Sequence, residues 1–196
     1  MQDQIVDSDK HYDPEFYKFA SYEIVEKYYP LIGEISSLFN SLDDMISEYL
    51  IVFINPNDYE IGWLTISGMT FSQKVDLLEK ILCWYVNDSF ELNKEKKTIE
   101  IKEIKLLSAN FKDLCTKRNK IVHADWEGMN EKLFVKNKTK SSDKGILHYY
   151  VSIKEDKFNK IIDDFNSSYK KFHEYYKAIK IKLKFESNYL LKNKTK

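Results

Sequence analysis

The amino-acid sequence predicts a mainly all-α protein: an antiparallel bundle of about five helices, with one small β-hairpin after the fourth. Three observations lead there. Apolar residues recur at three- and four-residue steps along five stretches of the chain. Two Ser/Thr-x-x-Glu/Gln pairs, Thr70 with Gln73 and Ser152 with Glu155, stand where helices should begin. Residues 132–153, by contrast, change to a β-prone composition broken by a polar loop. A length of 196 residues fits one domain with a sizeable core, so residues 1–196 are read as a single helical domain. Residues 1–12 and 187–196 are read as flexible termini.

The first helix should begin at Asp13-Pro14-Glu15, which supplies an N-cap, a proline at the first helical position and an acid in the first turn. Pro30 ends or kinks it. Beyond it Ile32, Ile35, Leu38, Phe39, Leu42, Met45, Ile46, Tyr49, Leu50 and Phe53 make the strongest helical stripe in the chain. Asn55-Pro56-Asn57-Asp58 is a turn, and the short stretch to Gly68 is mixed, with Trp63 expected to pack under the loop. The box at Thr70 opens a third helix to about Asn87, with Phe71, Val75, Leu78, Leu82 and Tyr85 inside and Lys74, Asp76 and Lys80 outside. Residues 92–97 are a lysine-rich connection. From Thr98 a fourth helix carries Ile101, Ile104, Leu107, Phe111, Leu114 and Val122.

Leu133–Val135 and Ile146–Ile153 flank the polar loop 136–145 as the two arms of the hairpin. Ser152 and Glu155 then open the last helix, whose face is Phe158, Ile161, Ile162, Phe165, Tyr169, Phe172, Tyr176 and Ile179. Residues 179–185 alternate Ile-Lys-Ile-Lys-Leu-Lys-Phe, a strand pattern; the helical reading is kept, with lysine stems lying along the apolar face.

Composition narrows the function classes. With 43% hydrophobic and 15% aromatic residues the chain is no disordered segment, and no apolar run is long enough to span a bilayer, so a membrane partner is not expected. The N-terminus lacks a basic flank and an apolar stretch, so no secretory signal is read there. Cys83 and Cys115 stand apart without Cys-x-x-Cys spacing, which argues against a zinc site or disulfide scaffold and suits a reducing cytoplasm. Neither a metal site nor a cofactor is expected: there is no Gly-rich phosphate loop, hydrolase triad or metal-ligand cluster. The net charge of zero hides a division. Residues 1–60 hold 13 acids and 3 lysines, a net of −10, and the remainder 18 acids and 28 bases, a net of +10. A basic C-terminal part could attract a phosphate backbone, while the acidic part could cover that surface in a partner or shield it within one chain.

Function is expected in the run from Asp113 to Trp126. Arg118 is the only arginine among 31 Lys plus Arg. Guanidinium is planar and can grip phosphate through two parallel hydrogen bonds, as a point charge cannot; the other reading is an ordinary surface arginine. At about 100° per residue Asn119 and His123 share a face, and Arg118 lies about 100° further round. If the helix ends near His123, the imidazole can swing towards the groove that Arg118 faces. A second copy packed antiparallel across a two-fold axis would join two Arg/His sets into one groove suited to phosphodiester chemistry. No metal is required for it.

Arg118-Asn119-Lys-Ile-Val-His123 resembles the Arg-polar-x-x-x-His signature of the HEPN superfamily (higher eukaryotes and prokaryotes nucleotide-binding), and Phe71–Leu78 is similar to the helix that often precedes it in small bacterial members. The resemblance covers roughly Phe71 to Trp126. It implies an all-α bundle and a metal-independent endoribonuclease active as a homodimer in toxin–antitoxin, abortive-infection or CRISPR-associated defence, leaving a 2′,3′-cyclic phosphate and a 5′-hydroxyl. It makes Arg118 and His123 catalytic, with Asn119 orienting the histidine or the phosphate. One toxin subgroup carries a tyrosine two residues after the histidine; here that position is Asp125, so modification of that tyrosine is not available. Some relatives keep the fold without nuclease activity, which leaves a non-catalytic module binding nucleotide, nucleic acid or protein as the alternative. A purely structural helical interaction domain is a third reading.

Lys74, Lys117, Lys120 and Trp126 are the candidate RNA contacts, Trp126 either stacking on a base or closing the core. Asp125 could pair with Arg118, hold His123 or make a helix-end salt bridge. His11, His148 and His173 are read as surface or packing residues. The expected partners are RNA, a second copy, and an antitoxin or larger defence complex.

Overall fold

The computed structural model describes residues 4–7, 22–55, 58–88, 92–124, 126–129, 132–142 and 145–193, and the chain is mainly α-helical. Its helices are α1 (Tyr22–Glu26), α2 (Tyr29–Ile54), α3 (Tyr59–Ile66), α4 (Phe71–Asp88), α5 (Lys94–Val122) and α6 (Glu155–Asn193). Backbone strands are β1 (Gln4–Asp7), β2 (Trp126–Met129), β3 (Lys132–Ser142) and β4 (Gly145–Ile153). They pair antiparallel in the order β1-β4-β3-β2, with Val135 opposite Val151 and a register shift between Lys136 and Lys138. The helix expected to start at Asp13 lies outside the described residues. Among those described, no helix is long and apolar enough to cross a membrane.

The chain forms two compact units: Met1–Ser41 with Asp113–Asp163, and Leu42–Lys112 with Asp164–Lys196. In the first, α1 packs on β2 and β3, and Phe158, fully buried, meets the rings of Tyr28 and Trp126 at 5.3 and 5.7 Å. The second unit is aromatic at its centre. Phe172 lies edge-on to Tyr49 and Phe111, and Tyr49 stacks on Tyr176 at 3.5 Å, offering His173 Nδ1 a hydroxyl at 3.0 Å. Burial pushes the Tyr49 phenol up to about 12 and raises those of Tyr175 and Tyr176.

Local signals explain several boundaries. The Thr70 box forms: Gln73 Oε1 accepts from the Thr70 amide at 2.8 Å, and Thr70 Oγ1 accepts from that of Gln73 at 3.4 Å. The helix ahead of Pro30 ends at Glu26, and after a two-residue turn Pro30 sits in the first turn of α2, where a missing N–H costs nothing. α5 starts at Lys94, four residues before the expected Thr98, since Asn93 Oδ1 accepts from the Lys96 amide at 2.9 Å and caps the lysine-rich run as a first turn.

The mixed stretch before Gly68 is also a helix, α3, with Asp58 as N-cap accepting from Ile61 N. Trp63 does not pack beneath it but is 48% exposed. Lys74 is another correction. It is buried rather than on the outer face of α4, because its ammonium reaches Asp43 Oδ1 on α2 at 2.8 Å.

Candidate functional site

The last turns of α5 carry the candidate site. Leu114 and Ile121 are buried and seat this end of the helix, which leaves Arg118 half-buried and Asn119 and His123 exposed. The helix closes around the motif: the His123 amide donates to Asn119 O at 3.1 Å, and the Trp126 indole Nε1 donates to Ile121 O at 3.0 Å. Trp126 thereby satisfies one of the carbonyls that a helix end leaves open, while its ring packs on Phe158. Both contacts give it a packing role at the helix end, and it stays partly exposed.

The structure brings Arg118, Asn119 and His123 together. Arg118 Nη1 donates to Asn119 Oδ1 at 3.0 Å and lies 3.2 Å from His123 Nε2. A guanidinium has donors only, so in this contact Nε2 is the accepting atom. The Asn119 amide, oriented by this contact, points its Nδ2 at Cys115 Sγ, 3.7 Å away. Below the guanidinium lies Phe39 of α2, with Arg118 Cζ 5.0 Å from the ring centroid. That distance is within cation–π range, and the ring serves as a flat platform for the planar cation. Arg118 Nε is buried with no hydrogen-bond partner, an N–H that costs about 1–3 kcal/mol to leave unsatisfied. Arg118 is therefore held by its neighbours on one edge of the fork and left unsatisfied at Nε.

The other candidates are placed differently. Lys117 turns back to Asp113 one turn earlier, at 2.8 Å. Lys120 is exposed in the last turn. Lys74 belongs to the other compact unit and is engaged by Asp43. Asp125 and His11 lie outside the described residues, and nothing is described of the His148 side chain. His173 is a packing histidine beneath Tyr169, bonded to Tyr49. Among the described residues, no group of three or more His, Cys, Asp or Glu is placed to hold a metal ion.

Sequence reasoning missed Phe39 and Cys115. Phe39 was legible only as a core residue of its own stripe, since nothing local ties it to Arg118, 79 positions on. Cys115 could have been found, because it stands four residues before Asn119 on the same helical face. Comparison of the chain with family models, curated proteins and solved structures gave no match.

Proposed function

We propose that this chain is a metal-independent endoribonuclease of a bacterial defence or toxin–antitoxin type, acting as a homodimer through a composite Arg/His groove. The observation that carries the reading is the approach of Arg118 Nη1 to His123 Nε2 at 3.2 Å, with Asn119 on the same nitrogen. A cation able to meet phosphate oxygens thus stands beside a ring nitrogen able to exchange a proton. The resemblance of residues 118–123 to the HEPN signature supports the same reading, and so does the mainly helical character of the chain, since the resemblance implies an all-α bundle.

In this reading His123 Nε2 of one copy takes the proton from a ribose 2′-hydroxyl. The 2′-oxygen attacks the adjacent phosphorus and the bond to the 5′-oxygen breaks. His123 of the second copy returns a proton to that oxygen, leaving a 2′,3′-cyclic phosphate and a 5′-hydroxyl. The two guanidiniums offset the charge that gathers on the phosphorus-bound oxygens, and Asn119 holds the guanidinium in line. Two copies are needed because one chain offers a single imidazole for two proton transfers.

Incubation of the purified chain with mixed RNA in EDTA tests this. Cleavage to cyclic-phosphate ends, lost in His123→Ala, is the expected result; no cleavage by a folded dimer would defeat the nuclease reading. The alternative, a HEPN-like module that binds nucleic acid, nucleotide or a protein without cutting, is favoured by one observation: Nη1 is already spent on Asn119 and His123. Retention of RNA without cleavage would select it.

A further inference from the structure

α3 is eight residues long and apolar around almost its whole circumference, yet only Gly62 and Ile66 are buried. Tyr59 is 60% exposed, Ile61 51%, Trp63 48% and Leu64 73%. Single exposed apolar residues are ordinary on any protein, but a helix that is hydrophobic all round normally lies inside a core. Four large ones on two turns make a patch of the kind that marks an interaction site, and Trp and Tyr are the side chains that most often anchor interfaces.

The electrostatics decide among occupants. Asp58, the N-cap, and Glu60, in the first turn, set two carboxylates at the patch, and α3 itself carries no lysine or arginine. An anionic lipid surface would be repelled by such a face. A second α3 laid symmetrically against the first would oppose like carboxylates across the contact. The complement is an apolar segment that carries cations, and this chain contains one. Residues 177–196 hold seven lysines and one glutamate, a net of +6, interleaved with Ile179, Ile181, Leu183, Phe185, Leu190 and Leu191. Lysines suit such a contact, since a lysine stem can lie along apolar surface while its ammonium group stays in water.

We propose that the α3 face of one copy docks the lysine-rich C-terminal end of α6 of another copy. The contact joins two different surfaces, so it is heterologous, and it is independent of the Arg118/His123 groove. It extends an assembly of copies rather than closing a pair.

Sedimentation velocity of the full chain tests the contact through reciprocal charge reversal. The two variants are Glu60→Lys and the triple change Lys180→Glu, Lys182→Glu, Lys184→Glu. Wild type should form a species larger than either variant forms alone, and that step should weaken as salt is raised. Mixing the two variants should restore it, since the reversed patch then meets the reversed tail. Identical sedimentation of wild type and both folded variants would overturn the proposal, as would failure of the mixture to recover the larger species. The same chains carry an intact Arg118/His123 set, so loss of RNA cleavage or of a motif-helix dimer in wild type leaves this comparison standing. Binding of wild type to phosphatidylcholine vesicles through Trp63, without self-association, would replace the second copy with a lipid surface and overturn the proposal as well.

Discussion

Gly33 and Gly62 both lie within helices, and alanine should act on them in opposite directions. A Cβ built at Gly33 of α2 meets nothing within 4 Å. Removing the extra backbone freedom of glycine there should stabilise the fold by about 0.5–1 kcal/mol. At Gly62 of α3 the same Cβ would lie 2.7 Å from Ile51 Cγ2 and 3.1 Å from both the Cα and the carbonyl oxygen of Ile51. Ile51 is 1% exposed and β-branched, so its methyl cannot swing clear, and the other two atoms are backbone. Overpacking costs about 1–3 kcal/mol, and a Cβ pressed on buried backbone belongs to the upper half of that range, so that after the helix-propensity gain of about 1 kcal/mol a net loss of about 1–2 kcal/mol remains. For a chain of this size that corresponds to a fall in Tm of about 2–8 °C for Gly62→Ala and a rise of about 1–4 °C for Gly33→Ala. Urea titrations followed by far-UV circular dichroism give both free energies. A Gly62→Ala chain as stable as wild type would refute the claim that α3 is held by close backbone approach to Ile51.

Arg118→Lys keeps the charge but loses the planar fork that lies over Phe39. If that fork meets phosphate in the transition state, the rate of RNA cleavage should fall by about 30- to 150-fold, equivalent to about 2–3 kcal/mol, with Tm little changed. Equal rates for the two chains would remove the phosphate role. Alkaline pH should destabilise the fold, because Tyr49, Tyr175 and Tyr176 are all raised, chiefly by burial, and Tyr49 moves from 10.0 to about 12. The unfolded chain then releases these protons first, so stability is fully present below pH 10 and falls as pH rises from there towards 12. Urea midpoints that stay flat across that range, or a Tyr49→Phe chain with an unchanged slope, would contradict this.

What the sequence disclosed follows how local each cause is. The Thr70 box and the spacing of Arg118, Asn119 and His123 depend on residues within five positions of one another, so both could be read directly. α3 could not be read that way. Its apolar residues show no one-sided periodicity, and its seat is Gly62 against Ile51, an approach that only the folded chain provides. Lys74 was misplaced for a similar reason: a helical wheel treats lysine as an outward residue, and the carboxylate that draws it inward, Asp43, stands 31 positions earlier. Phe39 looked like any other member of its stripe because a cation–π platform has no sequence pattern of its own. The helical class survives these misses, since it rests on the summed periodicity of several long segments.

The contact between Arg118 Nη1 and His123 Nε2 keeps that edge of the guanidinium and the imidazole lone pair from anything else while it lasts. A ring nitrogen whose lone pair holds a guanidinium proton is not a base, and a guanidinium edge resting on imidazole is not gripping an anion. The imidazole must be released before it can take a proton, whereas the guanidinium keeps the N–H groups of Nη2 for an anion. In the proposed nuclease, an anion that draws the guanidinium towards itself would uncover the lone pair in the same movement, so that binding of substrate would itself free the base.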